Sequence, residues 1–149
     1  MPRCRSPAKT PLPRILVAAG DDTLRIIEPA IEAHAKLLSA PRIEQALRLV
    51  GTRIDAVVCD AGFDDGRMFV LLHALRVLRP KRSPPVICCA RRTSSEPARE
   101  AIEAAARSLG ACAFVQLGEL AQRYDRSIAG EILAQMVRRR IKAGAQGRK

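Results

Sequence analysis

The chain contains no tryptophan, one tyrosine and three phenylalanines, and no aromatic is interleaved with its basic residues. A platform on which successive bases of a single strand would stack is therefore absent. No run approaches the ~18 apolar residues of a membrane span, and the N-terminus lacks the apolar stretch of a secretory signal. A cytoplasmic protein without a membrane span is expected. The five cysteines agree with that compartment, because the count is odd and none has zinc-site spacing. Cys59, Cys88, Cys89 and Cys112 all fall in expected strands, where they serve as small buried hydrophobes, with Cys88–Cys89 as a redox pair the alternative. A Gly-rich phosphate loop, a nucleophile elbow and a metal-ligand cluster are all missing, which argues against an enzyme.

Acid is missing at both ends. Residues 1–14 carry Arg3, Arg5, Lys9 and Arg14, and residues 138–149 carry Arg138, Arg139, Arg140, Lys142, Arg148 and Lys149. These stretches hold +4 and +6 of the net +11, so residues 15–137, with 16 bases and 15 acids, are nearly neutral. Such terminal segments are commonly solvated arms, and they can also bind polyanions without sequence preference.

The remainder is ordinary for a globular chain. Its 149 residues, 48% apolar and 28% charged, suit one domain with a proper core. Prolines at positions 2, 7, 11 and 13 mark residues 1–13 as a disordered leader, with the folded part over 14–142 and a basic tail over 143–149.

The stretch Ile54-Asp55-Ala56-Val57-Val58-Cys59-Asp60 is a short apolar run that stops on a carboxylate. A run of this kind predicts a strand buried on both faces of a parallel sheet. Its terminal carboxylate then stands at the sheet's C-terminal edge, where open α/β folds bind ligands. Further strands are expected at Arg14–Ala18, Ala35–Ser39, Pro85–Ala90 and Cys112–Leu117. The helices between them start near Asp22, at Pro41, at Met68 and after Ser94 or Ser95, and a last one runs from about Asp125 to Lys142. Pro29 falls inside the first helical pattern, which predicts a kink or a later start there. Strands alternating with helices of this length imply crossover units and a covered parallel sheet.

Five such units with a carboxylate ending the third strand resemble the receiver domain of bacterial response regulators. The resemblance spans about Arg14 to Ile141 and rests on several motifs in order. The run ending at Asp60 matches the third strand, with Asp60 at the phosphoacceptor position. Asp65-Gly66 is similar to the Asp-Gly that opens the third helix, and Pro85-Val86-Ile87 to the start of the fourth strand. Leu109-Gly110-Ala111-Cys112-Ala113-Phe114 resembles the signature entering the fifth strand, with Phe114 at the aromatic switch position. The resemblance implies a CheY-like α/β fold: a five-stranded parallel sheet in the order 2-1-3-4-5 with helices on both faces.

The departures bear on mechanism. The acidic pair that holds Mg²⁺ in the family aligns with Ala19 and Gly20, while Asp21 and Asp22 come one or two residues later. The switch Ser or Thr aligns with Ala90, or with Cys89 after a one-residue slip. The lysine after the fifth strand aligns with Leu117, followed by Gly118 where proline is usual. Mg²⁺ wants an oxygen-rich octahedral site, so Asp60 beside Ala19 and Gly20 implies at most a weak one, with Asp21 and Asp22 as substitute ligands. Arg91 and Arg92, at the site's edge, are candidate anion contacts.

Each of these residues has a plainer role as well. Asp60 can accept backbone N–H bonds from its loop, Asp21 and Asp22 can cap a helix, and His34 and His73 have no partner in reach by sequence. Arg76, Arg79, Lys81 and Arg82 favourably end a helix and enter a loop.

The expected function is a stand-alone receiver-like module in two-component phosphorelay signalling. It would act by protein contacts with a histidine kinase, a phosphotransfer protein or an output partner, with Asp60 weakly phosphorylated or not at all. A homodimer through the last helix is a further expectation. The alternative is a polyanion-binding protein that contacts nucleic acid through its basic termini.

Overall fold

The computed structural model describes residues 11–92 and 95–146. The disordered leader expected over residues 1–13, the end of the basic tail and the Ser94 cap fall wholly or largely outside the described residues. Five parallel strands, β1 (Arg14–Ala18), β2 (Lys36–Ser39), β3 (Ala56–Asp60), β4 (Val86–Ala90) and β5 (Ala113–Gln116), form one sheet in the order β2-β1-β3-β4-β5. Six helices connect and cover them: α1 (Asp21–Glu32), α2 (Ile43–Val50), α3 (Met68–Leu78), α4 (Glu96–Ser108), α5 (Leu117–Arg123) and α6 (Arg126–Gln146).

Alternation along each strand divides the apolar residues between two cores. Ile15, Val17, Val58, Ile87, Cys89 and Val115 face α1, α5 and α6, whereas Leu16, Val57, Cys59, Val86 and Cys88 face α2, α3 and Ala106 of α4. Because both faces are covered, the strands carry apolar residues at nearly every position, which is the pattern the sequence shows. Cys88 and Cys89 consequently belong to opposite cores, and both are free thiols. They are packing groups on either side of a strand rather than a facing redox pair. Burial pushes the Cys59 and Cys89 thiols well above their ordinary value and that of Cys88 up to about 12.

The strand limits contract by one or two residues from those expected. Asp55 belongs to the turn before β3, where its carboxylate accepts the Arg14 backbone N–H at 2.8 Å. Cys112 lies just outside β5, half-buried, with Sγ 3.2 Å from the Val86 carbonyl oxygen. The first helix does not start late. It runs through exposed Pro29 to Glu32, and Ala33 donates to the Pro29 carbonyl at 3.3 Å. The Arg79 guanidinium, at the end of α3, donates to the Val50 carbonyl at 2.8 Å and so satisfies the end of α2.

The main departure lies after β5. A loop was expected between the fifth strand and the last helix, but Leu117–Arg123 forms α5 at once. Leu117 is fully buried and Leu120 packs beside it, while Glu119 and Arg123 occupy exposed or half-exposed positions. The short i, i+3 apolar pair was too small a signal to stand out from loop. Asp125 then opens α6, its Oδ1 accepting the Ile128 N–H at 2.7 Å.

Candidate functional site

The register brings four chain ends together at the C-terminal edge of the sheet. Ala18 pairs with Cys59, Asp60 with Cys89, and Ala90 with Gln116. Above them opens a cleft of about 500 Å³, lined by Asp21, Asp22, Thr23, Asp60, Ala90 and Phe114 among others, with Arg91, Arg92 and Arg99 on its rim. All seven residues singled out from the sequence (Asp21, Asp22, Asp60, Ala90, Arg91, Arg92 and Phe114) therefore line one cavity.

Asp60 is half-buried at the end of β3, and its contacts are local. Its Oδ2 accepts the Thr23 hydroxyl at 2.9 Å, and its Oδ1 accepts the Gly62 N–H in a long contact of 3.4 Å. Thr23 is the one buried polar side chain among the described residues, 1% exposed, in the first turn of α1. A threonine at the start of a helix reads from sequence as a cap. The structure instead gives α1 an N-cap at Gly20 with no side-chain cap bond, which frees the Thr23 hydroxyl to point at β3. The signal was available, since Thr23 stands four residues before Ile27 and eight before Ile31, on the buried stripe of α1.

The position of the acidic pair is held by Ala19, buried in the core, and exposed Gly20. Asp21 and Asp22 follow in the first turn of α1, exposed, where they favour the helix dipole. Asp22 meets the Arg91 guanidinium at 3.3 Å across the cleft mouth. Among the described residues, no three His, Cys, Asp or Glu side chains come close enough to share a metal ion. The donors present do not match the octahedral oxygen set that Mg²⁺ requires.

The remaining positions are apolar or displaced. Ala90, half-buried, lines the cleft, whereas Cys89 turns away into the core beneath α1 and α6. Of the two, Ala90 lines the cleft, while Cys89 is the register partner of Asp60. Leu117 is buried in the same core as Leu133 and Val137, so no side chain reaches the site from the position a lysine would hold. Gly118 follows against the Arg91 carbonyl, where any Cβ would collide. Glu119 grips Arg99 of α4 in a two-pronged ion pair, with Nη2 3.1 Å from Oε2. Phe114, half-buried, borders both this cleft and a second one of about 340 Å³ with Leu120, Ile132 and Met136.

The loop from Asp60 to α3 turns back on itself through three consecutive left-handed residues, with φ of 41° at Asp64, 58° at Asp65 and 87° at Gly66. Aspartate tolerates that region through its short polar side chain. Asp64 uses its carboxylate to accept the Ile43 N–H of α2 at 2.9 Å. This acid is thus a structural tie between two elements, and only its neighbour Asp65 is left exposed at the cleft.

Against solved structures, the chain is similar to the signal receiver domain of an HD domain-containing protein from Pseudomonas fluorescens Pf-5, at 19% identity and a TM-score of 0.69 over 93% of each chain. It is similar also to a CheY-like response regulator receiver domain protein from Methanospirillum hungatei JF-1, at 17% identity and a TM-score of 0.65 over 91% of this chain and 98% of that one. The BeF3-activated DrrB receiver domain matches at 16% identity and a TM-score of 0.65, over 89% of this chain and 99% of its own. No protein-family model and no curated protein matches the chain. The likeness lies in the fold, which is that of CheY-like receiver domains.

Proposed function

We propose that this chain is a receiver-like module of two-component signal transduction whose Asp60 site is held in one state rather than switched by phosphoryl transfer. Its partners on this reading are a histidine kinase, a phosphotransfer protein or an output protein, met through protein–protein contacts. The observation that carries the reading is the company Asp60 keeps. Phosphoryl transfer depends on cations that neutralise the transferring oxygens, and a phosphoaspartate would bring several acceptor oxygens and extra negative charge. Around Asp60 stand the Thr23 hydroxyl and Ala90, and the Arg91 guanidinium is engaged by Asp22. The Thr23 hydroxyl also occupies a lone pair of Oδ2, which reduces that oxygen's reach toward a phosphodonor. The donor set around Asp60 does not suit Mg²⁺.

The test is an amide NMR titration of the protein with Mg²⁺ and then beryllofluoride, on the wild type and Asp60→Asn. The expected result is two well-dispersed spectra that do not move at Asp60, Ala90 or Phe114. Shifts at those residues in the wild type alone would overturn the reading and establish a working switch.

A further inference from the structure

Charge is distributed unevenly between the two edges of the sheet. At the C-terminal edge Asp21, Asp22, Asp60, Asp65 and Glu119 are interspersed with Arg91, Arg92, Arg99 and Arg123. The opposite edge, where the chain enters the strands, carries Arg14, Lys36, Lys81 and Arg82, with Asp55 accepting from Arg14 and Arg53. Helix α6 brings more positive charge to that same edge. Arg140 donates to the Cys112 carbonyl at 3.3 Å, and Cys112 in turn donates to the Val86 carbonyl at 2.9 Å. These bonds fix the C-terminal part of α6 at the entry to β5 and β4, the strand that Lys81 and Arg82 precede.

The basic residues in the second half of α6 lie in a stretch of sequence that holds no acid. Arg53, Arg67, Arg91, Arg99 and Arg107 all have carboxylate partners. Among the described residues, no ion pair reaches Arg138, Arg139, Arg140 or Lys142, and the sequence holds no acid after Glu131. Complementing the helix dipole does not account for them, since the last turn of α6 contains no basic residue. Arg138 and Lys142, four apart on one side of the helix, repel each other. A polyanion laid across them removes that cost.

We propose that this basic pole, centred on Arg138, Arg139 and Lys142, binds the phosphate backbone of nucleic acid without sequence preference. Guanidinium forks match phosphate oxygens in two-pronged hydrogen bonds. A rigid helix presents the three exposed side chains with less ordering cost than a solvated arm. A bilayer surface is the poorer match, because a membrane-lying helix needs a free apolar side beside its cations. Here Val137 is fully buried and Ile141 packs against the same core. No aromatic stands among these cations, so stacking on bases contributes nothing and sequence preference is not expected.

The experiment is fluorescence anisotropy of a labelled mixed-sequence DNA duplex titrated with the full chain, repeated with vesicles of anionic lipid as the competing surface. The expected result is duplex binding that weakens roughly a hundredfold between 50 and 200 mM salt, as about four phosphate contacts require. In Arg138→Gln/Arg139→Gln/Lys142→Gln the log–log salt slope should fall by about 3 units. Absent duplex binding at low salt, a triple variant that binds like the wild type, or a preference for vesicles would each overturn the proposal. Far-UV circular dichroism verifies that the variant is folded, and Arg138→Lys/Arg139→Lys, which keeps the charge, should retain the slope. The result of the beryllofluoride titration at Asp60, at the opposite edge, is independent of this outcome.

Discussion

The hydroxyl of Thr23 on α1 lies 2.9 Å from Oδ2 of Asp60 on β3, joining the first helix to the end of the central strand inside the cleft. Thr23 is buried and Asp60 half-buried at the cleft, so loss of the donor removes a hydrogen bond that water can in part replace. Thr23→Val, which preserves shape and removes the hydroxyl, should destabilise the protein by about 0.5–1.5 kcal/mol. Thr23→Ser should recover most of that loss. Urea unfolding followed by circular dichroism provides the comparison, and equal midpoints for the wild type and Thr23→Val would contradict it.

The glycines of α6 are predicted to respond in opposite directions. A Cβ at Gly130 would strike the Ile26 carbonyl oxygen where α1 and α6 cross, whereas Gly144 has nothing near it. Gly130→Ala should cost about 1–3 kcal/mol through overpacking. Gly144→Ala should gain about 0.5–1 kcal/mol from helix propensity alone. Melting temperatures that shift the same way in both variants would refute the assignment.

A simple repair of the missing lysine should fail. Leu117→Lys puts an ammonium group among Leu133, Val137 and Val115 instead of into the cleft. The expected loss of stability is about 3 kcal/mol or more, from the emptied apolar space and the buried charge. Phosphodonor treatment of the folded fraction should leave its amide spectrum unchanged. A gain of response at Asp60 would show that position 117 reaches the site after all.

Alkaline stability follows from the buried thiols. Cys59, Cys88 and Cys89 have folded values raised above the ordinary 9.0, chiefly by burial, with Cys88 at about 12. The folded state therefore holds these protons at pH values where the unfolded chain has released them. Their contribution is fully present below pH 9 and is lost as pH rises toward the folded values, at about 1.4 kcal/mol per pH unit for each thiol. Unfolding curves between pH 8 and 11 should steepen in this sense, and Cys88→Ala should flatten the profile relative to the wild type.

The ties at the cleft mouth should matter little for stability. The Asp22–Arg91 pair is well exposed to water, and such pairs contribute at most about 1 kcal/mol. Asp22→Asn should leave the melting temperature nearly unchanged while freeing the Arg91 guanidinium. Asp64→Ala should cost more, because it removes both the acceptor for the Ile43 N–H and a residue suited to left-handed backbone. Thermal melts of the two variants side by side test the ranking.

The sequence by itself determined the repeating strand–helix order, the two-faced burial of the sheet and the place of Asp60 at its edge. Those features depend on local periodicity: an unbroken apolar run can be satisfied only by a strand covered on both sides, and helices Met68–Leu78 and Arg126 onward announce themselves by spacing. Tertiary structure alone decided what surrounds Asp60. Whether Thr23 caps its helix or bonds the aspartate depends on how α1 packs over β1 and β3, which no local pattern encodes. The short helix α5 arises for the same reason, since seven residues hold too few turns to be stable alone and are ordered by burying Leu117 beneath α6. Charge behaved likewise: the counts of acids and bases are in the sequence, but the meeting of Asp22 with Arg91 and of Glu119 with Arg99 required the parallel sheet that carries every strand end to the same side.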